Sequence, residues 1–378
     1  MALVMTCLVA AGCSAPEAAP TAKTTVIAPS AAPETASAPA PAATPSEPAP
    51  SGLSLTTGLA SDKEYKPFVA MIENSPAARP QTGVQQADIV YEVMAEGSIT
   101  RFLCLFNDNL PVKAGPIRST RLYYISIQRE WDAPLIHYGG PSDSSKPSYV
   151  YGSNSGDIKL RLDGLKGGYS KYFWRDSERK APHNVYTDLT KFMDLYDYTP
   201  KDRTQFTFDP NYAPQGDTVD TVGIPFSSKK DNFVEFRYNA ATDKFERYMS
   251  GVPFEVRTVT KDENGNDQTD TAILTTQNII VQYAKTYLLS NDVKGRKMVD
   301  TVGEGKAEFF IGGKHLTGTW ARESEDSSTV YTLDDGTPVT LKPGNTWICM
   351  QPTDDEIAVT YNEGGSSNVQ GTAENTAK

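Results

Sequence analysis

Residues 14–51 contain 13 alanines and nine prolines among 38 positions, and this tract most constrains what the chain can fold into. A segment this rich in proline and this poor in large apolar side chains buries too little surface to fold. At about 3 Å per residue it forms an extended, semi-rigid spacer. We therefore predict a disordered tether over residues 14–53 and a folded body that begins at residue 54.

An apolar run precedes the tether. Residues 1–13 carry no charged side chain and end in Ala-Ala-Gly-Cys, the composition of a secretory signal and its cleavage site. This end resembles a bacterial lipobox, which implies cleavage before Cys13 and lipid attachment to that cysteine. The lack of Lys or Arg before the run indicates that the natural start lies upstream. The alternative is a disordered apolar terminus.

Net charge is concentrated at the two ends of the chain. Of the total of −11, residues 1–53 contribute −2 and residues 354–378 contribute −4, which leaves −5 on the body. A nearly balanced body lacks the basic footprint of a nucleic-acid-binding protein. No run of 18 uncharged apolar residues occurs, so no membrane-spanning helix is expected. Residues 353–378 are predicted to be a disordered tail.

Strand and helix patterns alternate in the first half of the body. The predicted elements are strands at 67–74 and 134–138, a hairpin of 87–94 with 99–106, a helix from Leu122 capped by Ser119 or Thr120, and a short helix over 188–196 capped by Thr187. The strand–helix–strand order predicts an N-terminal α/β-type domain over residues 54–214.

The second half has the period of strands with almost no helical pattern. Residues 233–238 and 244–249 alternate in polarity around an Asn-Ala-Ala-Thr-Asp turn and predict a hairpin. Similar short strands continue to about residue 352. This pattern predicts a small antiparallel β-rich domain over residues 215–352. The chain as a whole is therefore predicted to be α+β.

The four cysteines and three histidines form no metal motif. Cys104 and Cys349 lie in separate apolar runs and are predicted to be buried and unpaired. Dispersed histidines without paired cysteines do not make a zinc site. The chain also lacks a phosphate-binding P-loop, a nucleophile elbow and a calcium loop. We predict no metal and no cofactor.

The segment GPIRSTR at residues 115–121 is the best candidate for a site. Its Gly-Pro turn leads into a helix, and a helix N-terminus offers free N–H groups to an anion. Arg118 and Arg121, with Ser119 between them, could clamp a carboxylate or phosphate. The alternative is that these arginines pair with nearby carboxylates, for which the candidates are Asp88, Glu92 and Glu96.

Two histidines and a glycine pair are further candidates. His137 and His183 flank loops, where functional side chains gather, although a lone histidine is more often a hydrogen-bonded structural residue. Gly139 and Gly140 would allow backbone N–H groups to approach a ligand. Arg101 completes the predicted ligand-binding set. The sequence does not assemble a catalytic triad from spacing.

Eight motifs give the body a specific resemblance to a known family. They are ARPQTG (78–83), ADIVYE (87–92), EGSITR (96–101), GPIRSTR (115–121), HYGG (137–140), NIIVQ (278–282), GTW (318–320) and KPGNTW (342–347). The set resembles the YerB-type bacterial lipoproteins, which carry a two-part domain of unknown function. The resemblance covers roughly residues 54–352 and implies a lipoprotein of the cell envelope, without naming a reaction.

A weaker, fold-level similarity is to wall-polymer ligases of the LytR–CpsA–Psr type, whose arginines bind lipid-linked pyrophosphate. The order of Asp88, Arg118, Arg121 and the Gly139-Gly140 loop is similar to theirs. We therefore predict a lipid-anchored binding protein at the extracytoplasmic face of the cell membrane, with an anion-recognising cleft. Its expected partners are the membrane and an anionic envelope ligand or envelope protein. The alternatives are an enzyme acting on phosphorylated or polymeric envelope substrates and a structural role.

Overall fold

The computed structural model describes residues 52–141, 150–151, 158–203, 206–226, 233–290, 292 and 295–362. These residues belong to one compact unit, Pro45–Lys378. Cys13, residues 14–51 of the predicted tether and residues 363–378 of the predicted tail lie outside the described residues. Residues 353–362 of the predicted tail are described and include a strand at Ala358–Tyr361. Within the described ranges, no helix is long and apolar enough to cross a membrane.

The first half contributes short strands and one α-helix to the described structure. The strands are β1 (Phe68–Glu73), β2 (Ile89–Met94), β3 (Thr100–Phe106), β4 (Leu135–His137), β5 (Arg161–Asp163), β6 (Phe173–Arg175), β7 (Val185–Thr187) and β8 (Thr207–Phe208). The helix α1 spans Leu122–Glu130. Single turns of 3-10 helix cover Pro76–Ala78, Val84–Gln86 and Tyr169–Tyr172, and a longer one covers Leu189–Leu195.

The described second half consists of strands. They are β9 (Asp217–Pro225), β10 (Phe233–Asn239), β11 (Lys244–Met249), β12 (Val252–Pro253), β13 (Glu255–Lys261), β14 (Asp267–Ile273), β15 (Thr275–Thr276), β16 (Asn278–Ala284), β17 (Thr286–Leu288), β18 (Lys297–Val299), β19 (Gly303–Ile311), β20 (Lys314–Arg322), β21 (Val330–Leu333), β22 (Thr340–Leu341), β23 (Thr346–Pro352) and β24 (Ala358–Tyr361).

One mixed sheet runs through both halves of the chain. Its central order is β20-β19-β16-β23-β2-β3-β1-β4-β5, with β9 to β12 beyond β20. Strand β23 lies between β16 and β2 and is parallel to both, so that Ile348 is opposite Ile280 on one side and Tyr91 on the other. Strands β1, β4 and β5 also pair in parallel.

The central strands are apolar on both faces because both faces of the sheet are covered. Successive side chains of a strand point to opposite faces. Phe68 and Phe102 therefore lie in one buried cluster, whereas Val69 and Leu103 lie in the other. Helix α1 covers the second face, where the Tyr124 hydroxyl donates to a backbone carbonyl of β2 (3.0 Å). The predicted hairpin of 87–94 with 99–106 is confirmed as β2 and β3.

Two predicted helix caps are wrong. Arg121 is the N-cap of α1, and its backbone is extended (φ −134°, ψ 164°), so the helix begins after the predicted caps Ser119 and Thr120. The predicted helix over 188–196 is a 3-10 helix whose N-cap is Asp188. Thr187 does not cap it because Thr187 is the last residue of β7.

The predicted α+β class, with an α/β-type first domain, is also wrong. The fold is mostly β, built on a large mixed sheet, and α1 is the one α-helix in the part of the chain that is described. Among the described residues, the order strand, α-helix, strand occurs once. Strand β2 instead pairs directly with β23 of the second half. The domain limits 54–214 and 215–352 stay predictions.

A buried ion pair joins a strand of the first half to a strand of the second half. Glu92 of β2 and Arg247 of β11 are both 0% exposed, and Arg247 Nη2 lies 2.9 Å from Glu92 Oε1. Trp347 Nε1 of β23 donates to Glu92 Oε2 (3.1 Å). The guanidinium also lies 3.9 Å above the ring centroid of Phe254. Cys104 and Cys349 are buried and unpaired, as predicted.

Candidate functional site

The segment that carries the two predicted arginines lies between the end of β1 and the turn that follows β4. Arg118 donates its backbone N–H to a carbonyl of β1 (2.8 Å), and its own carbonyl accepts from the N–H of Tyr138 (3.0 Å). The Ser119 hydroxyl donates to the Tyr138 carbonyl (3.1 Å). Because β1 and β4 are parallel, their carboxyl ends lie at the same edge of the sheet, where ligands of such sheets often bind.

Gly115 allows this segment to run close against β7. Its φ is +151°, and a Cβ atom at this position would lie 2.7 Å from the carbonyl oxygen of Val185 and 2.8 Å from the ring of Tyr186. The same carbonyl of Val185 accepts from the N–H of Ile117 (2.6 Å). Position 115 therefore requires glycine, and β7 fixes the course of the chain towards Arg118.

Two of the predicted arginines share one carboxylate. Glu96 accepts from Arg121 Nε (2.7 Å) and from Arg101 Nη2 (3.0 Å). Arg101 Nη1 also donates to the Ser119 carbonyl (2.9 Å), and Arg121 Nη1 donates to the Thr120 carbonyl (2.6 Å). Burial opposes ionisation of Glu96, but Arg101 and Arg121 hold its pKa below the ordinary value. The anion beside the start of α1 is thus a side chain of the protein itself.

Arg118 extends to a different carboxylate, at the end of β1. Its Nε lies 3.4 Å from Glu73 Oε1, and its Nη1 donates a long bond to the Pro182 carbonyl (3.4 Å). Glu73 Oε1 accepts from the Ser75 hydroxyl (2.9 Å) and lies 2.9 Å from Nδ1 of His183. We call Glu73, Ser75, Arg118 and His183 the Arg118 site.

The Arg118 site holds polar atoms whose hydrogen-bonding capacity is not met. Glu73 Oε2 and Arg118 Nε are buried and have no hydrogen-bond partner in the described part of the chain. The Glu73 side chain is 5% exposed, while Arg118 and His183 are 27% and 28% exposed. A buried group without a partner costs free energy, so a site that keeps two of them is a candidate for binding a further molecule.

His137 lies beneath the turn that follows β4 and is fully buried. Its Nδ1 lies 2.8 Å from the Gly139 carbonyl. Burial lowers the pKa of His137 to about 4, so the ring is uncharged at neutral pH. The N–H of Gly139 donates to Asp163 Oδ1 (2.8 Å), and this carboxylate also accepts from the N–H of Leu165 (3.0 Å). The Nδ1 atom of His137 and the N–H of Gly139 are therefore engaged with the protein's own groups, while His137 Nε2 is buried without a hydrogen-bond partner among the described residues.

The structure thus separates the predicted site residues into three groups. One group lies around the end of β1 and the turn after β4 and consists of Arg118, Ser119, Gly139 and His183. Arg101 and Arg121 form a second group with Glu96. His137 is buried beneath the turn after β4. Gly140 packs beside Val150, which a Cβ atom would approach to 3.1 Å. Cys13 lies outside the described residues.

Glu73 and Ser75 were not among the predicted site residues. Glu73 is the last residue of the buried strand β1 and Ser75 follows it, and polar residues at a strand end are the signal that could have identified them. Glu96 was one of three carboxylates left open as partners of the arginines. Among the described residues, no group of three His, Cys, Asp or Glu side chains is arranged to hold a metal ion.

These features define a class: a β-rich protein whose two sequence halves share one mixed sheet and whose arginine segment lies at the ends of parallel strands. The family described as protein of unknown function (DUF3048) matches twice, with its N-terminal domain at residues 56–203 and its C-terminal domain at residues 222–348. The chain belongs to this YerB-like, DUF3048 family. The resemblance found in the sequence is confirmed.

Two comparisons with the same relative agree. The chain is 29% identical over 317 residues to "Putative lipoprotein YerB" of Bacillus subtilis (strain 168), which covers 82% of this chain and 88% of the relative. The crystal structure of the YerB protein from Bacillus subtilis aligns with a TM-score of 0.64 at 27% identity. That alignment covers 82% of this chain and 99% of the other.

Proposed function

We propose that this protein is a lipid-anchored protein of the extracytoplasmic membrane face that binds an anionic ligand of the cell envelope at the Arg118 site. The lipoprotein part is supported by the name of the Bacillus relative and by the Ala-Ala-Gly-Cys sequence at Cys13. Its partners are then the membrane, through the lipid, and an envelope anion or a protein that carries one.

The observation that carries this proposal is the spare donor capacity of Arg118. A guanidinium has five N–H donors. Arg118 donates one hydrogen bond within the described residues, the long one to the Pro182 carbonyl, and its Nε has no acceptor. Arg101 and Arg121, in contrast, each donate to the Glu96 carboxylate and to a backbone carbonyl. Oxyanions such as phosphate and carboxylate accept paired hydrogen bonds from the planar guanidinium.

Glu73 does not satisfy the hydrogen-bond donors of Arg118 that the ligand would use. Its Oε1 is shared by Ser75 and His183 and makes no hydrogen bond with Arg118 Nε, although the two atoms are 3.4 Å apart. Glu73 instead holds the guanidinium at the edge of the sheet, where 27% of the Arg118 side chain remains exposed. His183 would supply a second nitrogen beside a bound oxyanion.

The test is thermal unfolding of the full chain in orthophosphate against chloride at equal ionic strength. A ligand at about 20 times its Kd adds about 1.8 kcal/mol to native stability, which corresponds to about 3 °C in Tm for a fold of this size. Arg118→Gln is expected to remove the gain. The matched control is Arg237→Gln, because Arg237 is a 43% exposed arginine on β10. An equal gain in wild type and Arg118→Gln would refute the proposal.

A second candidate, an enzyme acting on phosphorylated or polymeric envelope substrates, is favoured by Glu73. A buried carboxylate with an unpartnered oxygen beside a histidine is an arrangement that can transfer protons. The test is release of nitrophenol from a nitrophenyl phosphodiester by the full chain. Activity that is lost in Glu73→Gln while the fold persists would support the enzyme, and no turnover would leave the binding function alone.

A further inference from the structure

A basic segment borders the Arg118 site in a chain that is otherwise acidic. Residues 161–180 contain six Lys or Arg and three Asp or Glu, although the net charge of the chain is −11. The three carboxylates are engaged: Asp163 is buried under two backbone amides, Asp176 lies 2.7 Å from Lys113, and Glu178 lies 3.1 Å from Arg257. The excess positive charge of residues 161–180 is therefore available on the surface at its Lys and Arg side chains.

Four exposed cations of this segment have no carboxylate partner in the described chain. We call them the cationic strip: Lys166, Lys171, Arg175 and Lys180. Three of them lie over aromatic rings, at 3.6 Å from the ring centroid of Tyr151, 5.1 Å from that of Tyr172 and 5.6 Å from that of Tyr138. These cation–π contacts fix the positions of the three charged groups on the protein surface.

The cationic strip is continuous with the Arg118 site on two sides. The N–H of Tyr138 donates to the carbonyl of Arg118, and the ring of Tyr138 carries the guanidinium of Arg175. On the other side, the N–H of His183 donates to the carbonyl of Lys180 (3.0 Å). A ligand that reaches Arg118 therefore has Arg175 on one neighbouring segment and Lys180 on another.

Building on the anion-binding function proposed for the Arg118 site, we infer that the ligand is a polyanionic chain with repeated phosphate-type charges. One charged group meets Arg118, and its neighbours lie along the cationic strip. A single small anion would need the Arg118 site alone. A flat anionic bilayer fits less well, because Arg118 lies in a recess beside Glu73, whose side chain is 5% exposed.

The experiment compares long-chain polyphosphate with orthophosphate and with phosphatidylglycerol vesicles. It uses the full chain made by cell-free translation, without lipid on Cys13. We expect polyphosphate to bind more tightly per phosphate than orthophosphate, with an affinity that falls steeply as salt rises, because each charge contact releases counterions. Replacing Lys166, Lys171 and Lys180 together by Gln is expected to weaken polyphosphate binding about tenfold or more.

The matched control replaces three other exposed lysines, Lys244, Lys261 and Lys285, by Gln, which removes the same net charge. It is expected to change polyphosphate affinity by less than about twofold. Equal effects of the two triple variants, or no gain from polymer over orthophosphate, would overturn the inference. Binding to vesicles that depends on the strip, without polymer binding, would overturn it in favour of a membrane surface.

Failure of this inference is distinguishable from failure of the proposed function. If Arg118→Gln removes the orthophosphate stabilisation while polymer adds nothing, the Arg118 site binds a small anion and the polyanion inference is wrong. If Arg118→Gln leaves both orthophosphate and polyphosphate binding intact, the proposed function is wrong and the inference falls with it.

Discussion

Arg247→Ala is expected to destabilise the protein more than the loss of any exposed charge. The Arg247 side chain is fully buried, it pairs with the fully buried Glu92, and its guanidinium stacks on Phe254. Removing it takes the ion-pair partner from the buried Glu92 carboxylate, which keeps the Trp347 indole N–H as one of its remaining donors. The substitution also empties the space that the side chain fills between β11 and β2.

The magnitude follows from the burial of both partners. Breaking a buried ion pair by removing one partner costs about 3–5 kcal/mol, whereas an exposed pair contributes about 0–1 kcal/mol. With an unfolding entropy of about 2 cal/mol/K per residue, this loss lowers Tm by roughly 5–8 °C. Differential scanning calorimetry of the full chain measures it. Arg237→Ala is the control, because Arg237 is 43% exposed.

The double variant Glu92→Gln, Arg247→Met separates the charge from the packing. Glutamine keeps an oxygen that accepts from Asn74 and Thr100, and methionine fills part of the volume without a charge. We expect it to recover about half of the lost stability or more, because no buried charge is left unpaired. A Tm loss for Arg247→Ala no larger than the control's, or a double variant no more stable than the single one, would refute the reasoning.

Three further outcomes are expected. Burial opposes ionisation of Glu308, but hydrogen bonds, foremost the one from His315, lower its pKa to about 2. The contribution of Glu308 to native stability is therefore complete above about pH 4.5 and is lost as the pH falls towards 2. Urea titrations at several pH values should show a weaker loss of stability in acid for Glu308→Gln than for the wild type. Gly115→Ala should cost at least about 2 kcal/mol, because its Cβ meets backbone, whereas Gly336→Ala, in open space, should cost about 1 kcal/mol. Arg121→Gln should lower Tm without changing the stabilisation by orthophosphate, and a lost phosphate response would show that Arg121 contacts the anion.

Local patterns in the sequence predicted the elements that local contacts form. The hairpin of β2 and β3 follows from two apolar β-rich runs separated by four residues around Gly97, which has a φ of +58°. Alternating polarity likewise identified β10 and β11. The insertion of β23 between β16 and β2 could not be predicted, because it pairs residues about 250 positions apart that are apolar on both faces. Such runs fit many neighbours equally well.

The sequence identified the arginines of the candidate site but not the carboxylates with which they pair. The motif GPIRSTR identified Arg118 and Arg121, but their partners depend on the register of β1 with β3, which places Glu73 opposite Arg101. That register puts one carboxylate near Arg118 and leaves Glu96 to the other two arginines. No spacing along the sequence contains this information, because it arises from strands about 30 residues apart.

Anion binding at Arg118 is tested most directly by soaking a crystal of the full chain in tungstate, a heavy-atom analogue of phosphate. We expect an anomalous difference peak within hydrogen-bonding reach of the Arg118 guanidinium, on the side of His183. In crystals of Arg118→Gln this peak should be absent, while the Glu96 cluster keeps its geometry. A peak beside Arg101 and Arg121 instead, with none at Arg118, would contradict the assignment of Arg118 as the arginine that meets the ligand.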